Sequence, residues 1–320
     1  MRIRYVLSGV AALAALGVSA PVALAALTPT SSNSPPSSSP TSANAMLISA
    51  AKTESAAYQQ YYAYAVGADE SGHTGLADVW QTVGQVEHQD HWTHELTLAA
   101  LYSSSDNIAN LQIAITQAQQ AATADEGWAA QAPKDSAAAR ELRTVAARET
   151  AAAGLLTQAL NAEQGKGGSV PAAPAVKQVQ VRVSAKPYYS GTFYNDLTSG
   201  SDSALETAAW NWAEYQFDAK TAVDTGQADL ATLLSGLEAQ EVQNWTGLSN
   251  VAGYVNSNAM NLQASIASEQ GAIDMYTQYA AEAQQMGNST LASTFQSIMG
   301  DEEGHHQTFS TELLQLNGSH

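Results

Sequence analysis

Glu302 and His305 stand three residues apart in the run Ser297–Phe309, near the C-terminal end of the chain. The run reads as helix, with Ile298, Phe309, Leu313 and Leu314 as candidate apolar positions. A spacing of three is about 60° short of a turn and about 4.5 Å of rise, so the carboxylate and the imidazole share one face. Turned toward a core, such a pair costs several kcal/mol unless something compensates it, and a divalent metal is one such partner. Alone, a Glu-x-x-His on a helix is more simply a solvated pair, so the other carboxylates decide. Upstream lie Glu206, Glu241 and Glu269, each within a different helical stretch. Four carboxylates meeting in a bundle centre cannot all stay ionised without a cation, because like charges raise one another's pKa. Oxygen-rich ligands with an imidazole suit iron or manganese better than zinc or copper.

The elements that would carry these residues are helices. Long stretches lack both Gly and Pro, and Ala, Gln and Ser are abundant. From about residue 46 to 164 the breaks fall near Ser71-Gly72, Ser103–Asp106 and Ala132-Pro133, leaving four helices of bundle length. A further four follow from about residue 203, broken near Thr225-Gly226, Gly253–Ser257 and Met286–Asn288. Between them Val176–Val183 alternates apolar and polar residues as a half-buried strand would; with no obvious partner it reads as an extended linker.

The two blocks look like copies. Glu54-Ser-Ala-Ala-Tyr58 matches Glu206-Thr-Ala-Ala-Trp210, Glu87 matches Glu241, and Asn110-Leu-Gln matches Asn261-Leu-Gln, at offsets of 152, 154 and 151 residues. The expected fold class is therefore all-α, with two tandem antiparallel four-helix bundles. The expected division is residues 1–25 a signal peptide, 26–45 a Ser/Pro-rich disordered spacer, 46–164 the first bundle, 165–202 a linker and 203–317 the second bundle.

On these residues the chain resembles the rubrerythrin branch of the ferritin-like superfamily, whose ligand pattern is one Glu from each of two helices and a Glu-x-x-His from each of the other two. The resemblance covers nearly all of residues 203–316 and, more loosely, 46–160. It implies a carboxylate-bridged site in the second bundle for two iron ions, with manganese as the alternative metal. Glu206, Glu241, Glu269, Glu302 and His305 are its expected ligands, with Glu238 and Asn244 as lesser candidates because Asn244 stands where the other His belongs. Tyr276, two turns beyond Glu269, is a candidate to touch a ligand or a bound peroxide; ordinary core packing is the plainer reading. The first bundle reads as degenerate: Glu54 and Glu87 persist, but Asp90 takes the His position with His91 beside it, and Ala118 and Ala152 replace a Glu and a His. A structural role is therefore expected of it.

A basic start (Arg2, Arg4), an apolar run from Val6 to Ala20 and Ala23-Leu24-Ala25 make a cleavable export signal, so a secreted or extracytoplasmic location is expected. With no Cys there is neither a disulfide contribution nor a rubredoxin-type iron centre, so electrons must come from an external donor. A net charge of −18 argues against nucleic acid, and no membrane association is expected once the signal is removed. The expected partners are metal ions and peroxide or dioxygen. The expected function is metal-centred redox of the peroxidase or ferroxidase type. A non-enzymatic scaffold that binds metal or a partner is the alternative, and self-association is left open.

Overall fold

A computed structural model describes residues 42–185 and 200–318. The expected signal peptide, most of the expected spacer and the end of the expected linker lie outside the described residues. Among those residues the chain is helical and has no strand. Helix α1 spans Ala43–Glu70, α2 Thr74–Val86, α3 Thr93–Ala99, α4 Asn107–Gln131 and α5 Ala137–Glu163. Then come α6 at Gly200–Asp224, α7 at Ala228–Ala252, α8 at Asn258–Gln285 and α9 at Ser289–Gly318. A π-helical segment, Glu87–Trp92, joins α2 to α3, so these three pieces form one continuous rod and the rods number eight. They make two four-helix bundles.

Local chemistry explains where the rods begin. Asp106 and Ser136 each cap a helix by accepting a hydrogen bond from the backbone N–H three residues on. Asn110 and Asn261 hold the loops ahead of α4 and α8 in the same way. Asn110 accepts from the N–H of Ser103 at 2.9 Å and donates to its carbonyl at 2.8 Å. Asn261 does the same to Asn256 at 2.8 and 3.0 Å. The shared Asn-Leu-Gln motif is thus a loop staple.

The helices do not associate as the sequence division expects. Neighbouring helices pair into hairpins, but the hairpin of α1 and α2–α3 packs with α8 and α9, while α4–α5 packs with α6–α7. We call these the first and second bundles. A core of Met46, Leu47 and Ala50 from α1 with Tyr276, Ala280 and Phe295 from α8 and α9 lies inside the first. Leu111, Leu156, Tyr215 and Leu234 lie inside the second. The contiguous bundles 46–164 and 203–317 are therefore corrected to an exchanged arrangement. The physical reason is that similar hairpins offer similar apolar faces. A repeat defines each hairpin but not which hairpin covers it.

The extended segment makes no sheet. Val181 is buried, the N–H of Ser184 donates to Val255 at 2.7 Å, and Asn250 clasps the backbone of Gln180 and Arg182. Its alternation reflects one face laid on helices. No helix among the described residues is long and apolar enough to cross a membrane.

Candidate metal centre

Each rod of the first bundle brings acidic or imidazole groups to the same depth. Helix α1 carries Glu54, the π segment Glu87 and His91, α3 Glu95, α8 Glu269, and α9 Glu302 and His305. All five carboxylates are at most 2% exposed. Two sets of ligand atoms converge, each within 4.8 Å: Glu54, Glu87, His91 and Glu302, and Glu87, Glu269, Glu302 and His305. The sets share Glu87 and Glu302. Each adds one further glutamate and one histidine.

The two histidines reach this centre by different local geometry. Glu302 and His305 keep the spacing of three on an ordinary α-helix. Glu87 and His91 are four apart, and the π segment absorbs the extra residue. Asp90, the residue at spacing three, is exposed instead. The Nδ1 of His91 faces Glu87 at 3.0 Å, Glu302 at 3.2 Å and Glu54 at 3.6 Å. The Nδ1 of His305 faces Glu87 at 3.0 Å, Glu302 at 3.3 Å and Glu269 at 3.9 Å. One ring nitrogen cannot hydrogen-bond three acceptors at once, and the buried Glu87 Oε1 and Glu302 Oε1 make no hydrogen bond. Acceptors aimed at a common point without donors are what a cation pair would satisfy. The residues present therefore fit two divalent ions.

Two tyrosines brace the glutamates crosswise. Tyr61, on α1, donates to Glu269 on α8. Tyr276, on α8, hydrogen-bonds Glu54 on α1 and also Glu95 at 2.7 Å. Behind His91, its Nε2 lies 3.4 Å from Asp301 Oδ2, which leaves Nδ1 directed inward.

Without a cation the charges settle unevenly. Burial, then repulsion from Glu302 and Glu87, raises Glu54 well above the usual carboxylate range. Burial likewise raises Glu95, and it pushes Glu269 up to about 12 with Glu87 beside it. Burial also opposes ionisation of Glu87, but the imidazoles of His305 and His91 beside it outweigh burial and hold this group down to about 2. Burial works against His305 too, yet Glu302 and Glu87 raise it to about 9.

The structure divides the expected ligands. Glu269, Glu302 and His305 meet at the centre, and Tyr276 touches it. Glu54, Glu87 and His91, expected as a degenerate set elsewhere, complete it. The expected grouping of Glu206 and Glu241 with these residues is corrected. Glu206 is exposed on α6, where its charge acts on Lys52. Glu241 is buried in the second bundle, with Asn244 donating to it at 3.1 Å and to Glu149 at 3.2 Å. Arg148 donates to Asn244 at 3.0 Å. Glu238 accepts from the indole of Trp212 at 3.3 Å. Ala118 and Ala152 are fully buried there in place of the expected Glu and His, although Asp125, Glu214 and Asp218 are buried in the same bundle as Glu149 and Glu241. Glu95 and Asp301 have no role on sequence alone, and Tyr61 reads there as core packing of the first bundle. Glu95 is four residues from His91, one turn on, and that was the available signal.

A four-helix bundle with two overlapping sets of buried Glu and His ligands defines a carboxylate-type metal-binding class. Residues 260–320 match the Rubrerythrin family model, a span holding Glu269, Glu302 and His305. The matched span covers α8 and α9, and the all-helical two-bundle fold is consistent with a likeness to that family. No curated protein and no solved structure gives a significant match.

Proposed function

We propose that this is an exported protein whose first bundle holds two iron ions, or an iron/manganese pair, and uses them for redox chemistry with peroxide or dioxygen. The observation that carries the reading is the pair of overlapping ligand sets sharing Glu87 and Glu302. Glu54 and His91 would hold one ion, Glu269 and His305 the other, and Glu87 and Glu302 would serve both. Bound there, iron would supply the electrons that reduce peroxide to water. The chain's own residues supply position and protons. Tyr61 and Tyr276 fix the glutamates that flank the centre. Burial keeps the Glu95 carboxyl protonated against Tyr276 Oη, where it can deliver the proton that a departing oxygen requires. The surrounding burial excludes bulk water. The second bundle, with its amide-bridged Glu149 and Glu241, is a scaffold, and the paired motifs reflect tandem duplication. Electrons come from an external donor.

The test is a single turnover. Apoprotein loaded anaerobically with ferrous iron should, on addition of peroxide, develop ferric absorption across all its bound iron. The His305→Ala variant should lose at least half of that signal. Iron that binds fully but stays ferrous under peroxide would instead make the protein a metal-binding scaffold without redox function.

A further inference from the structure

All the ligands of the first bundle are buried except His305, which is partly exposed, so an ion needs a path to them. A groove of about 590 Å³ opens between α9 and the π segment with α3, and His91, itself 2% exposed, lies at its inner wall. On the α9 side Ser289, Ser293 and Ser297 recur at every fourth residue, and the next position in the series is Asp301. Twelve residues of helix make this a row of oxygen atoms about 18 Å long. It ends one residue before Glu302. On the facing wall stand Asp90 and His94, both exposed. Neither Lys nor Arg lines the groove. Asp301 is 57% exposed and lies 3.4 Å from the Nε2 of His91, whose other ring nitrogen faces Glu54, Glu87 and Glu302. A single imidazole therefore separates the solvated groove from the ligand set.

We propose that this groove is the loading path of the centre, along which a hydrated divalent cation is drawn by Asp90, His94 and Asp301 and handed past His91 to the glutamates. The inference rests on the centre binding metal and adds the route by which metal arrives. Its chemistry follows from the lining. Hydroxyl and carboxylate oxygens can replace the waters of a hydrated ion in succession, and carboxylates with neither Lys nor Arg in the lining concentrate positive ions at the mouth. The slot formed by π-helical insertion has a second consequence. It exposes Asp90 to the groove while turning His91 inward, so the two adjacent residues serve the path and the site.

Asp90 and His94 provide the clean test, because neither is in the ligand sets. Apoprotein of the full chain is mixed with cobalt(II) without oxygen, and d–d absorption reports both rate and extent of loading. In the Asp90→Asn/His94→Gln double variant the loading rate should fall about tenfold, within the range of electrostatic steering, with unchanged final cobalt content. Added salt should slow the wild type more than the variant. A second, shallow groove lies farther along the same face of α9 around Thr308 and Glu312, and Glu312→Gln should leave the rate unchanged. Loading as fast in the double variant as in wild type would overturn the proposal, as would slowing in Glu312→Gln instead. A fall in final cobalt content would make Asp90 or His94 a ligand and likewise overturn it. Failure of the wild type to take up cobalt would refute the metal centre itself, which separates that failure from failure of the route.

Discussion

Glu87→Gln should strip both metal ions from the protein, while Glu241→Gln leaves metal content unchanged. Glu87 belongs to both ligand sets, and each of its carboxylate oxygens faces a different histidine, Oε2 toward His91 and Oε1 toward His305. The amide has nearly the same shape but no charge, and its NH2 group would point a donor at one imidazole or the other. Both sites lose an anionic ligand at once. Glu54→Gln touches only one set, so the expected series is loss of both ions, loss of one and loss of none for positions 87, 54 and 241. Elemental analysis after dialysis reads it directly. The contiguous-bundle reading of the sequence demands the opposite order, with Glu54 and Glu87 dispensable. Equal loss from Glu87→Gln and Glu241→Gln would mean that both bundles bind metal.

The second large effect is on stability, and its sign depends on the metal. In the second bundle burial raises Asp125 and Asp218 to about 8 and Glu241 to about 7. A raised carboxyl keeps its proton in the folded chain while the unfolded chain releases it near pH 4. Folding is then favoured by these groups below that pH, and the contribution is lost as pH rises through 7 to 8. His305, raised to about 9, acts in the same direction, since its contribution is complete below 6.5 and is lost as pH passes 9. Glu87 opposes them, but only as pH falls from about 4 through 2. Metal-free protein should therefore melt higher at pH 5 than at pH 8. Added metal reverses the slope, because its ligands must be deprotonated to bind. A hundredfold excess over Kd stabilises the fold by about 2.7 kcal/mol. The gap between loaded and chelated melting temperatures should be widest at pH 8 and narrow toward pH 5. A chelated protein that melts higher at pH 8 would contradict this distribution of buried charge.

What was legible in the sequence was local. Helix positions, the breaks between them and the Glu302/His305 pair follow from periodicity, caps and spacing. The partnership of hairpins was not legible, because hairpins of similar pattern make exchanged and contiguous pairings look alike. Glu206 shows the cost of a small offset error. It lies 152 residues after Glu54, but Glu241 and Tyr215 lie 154 after Glu87 and Tyr61. Two residues turn a helix by about 200°. At an offset of 154 the counterpart of Glu54 is Ala208, which is 2% exposed, whereas Glu206 is turned to solvent. His91 reads from sequence only as part of a degenerate set for a related reason. The π segment shifts it by one position, and nothing in Glu87–Trp92 announces that turn before the fold is known.

Anomalous diffraction at the iron edge from crystals of the loaded protein tests the central claim most directly. The account expects two peaks about 3.5–4 Å apart, the separation usual for paired ions. Glu87 and Glu302 should lie between them, His91 beside one and His305 beside the other. A peak between Glu149 and Glu241, or none among Glu54, Glu87, Glu269 and Glu302, would contradict it.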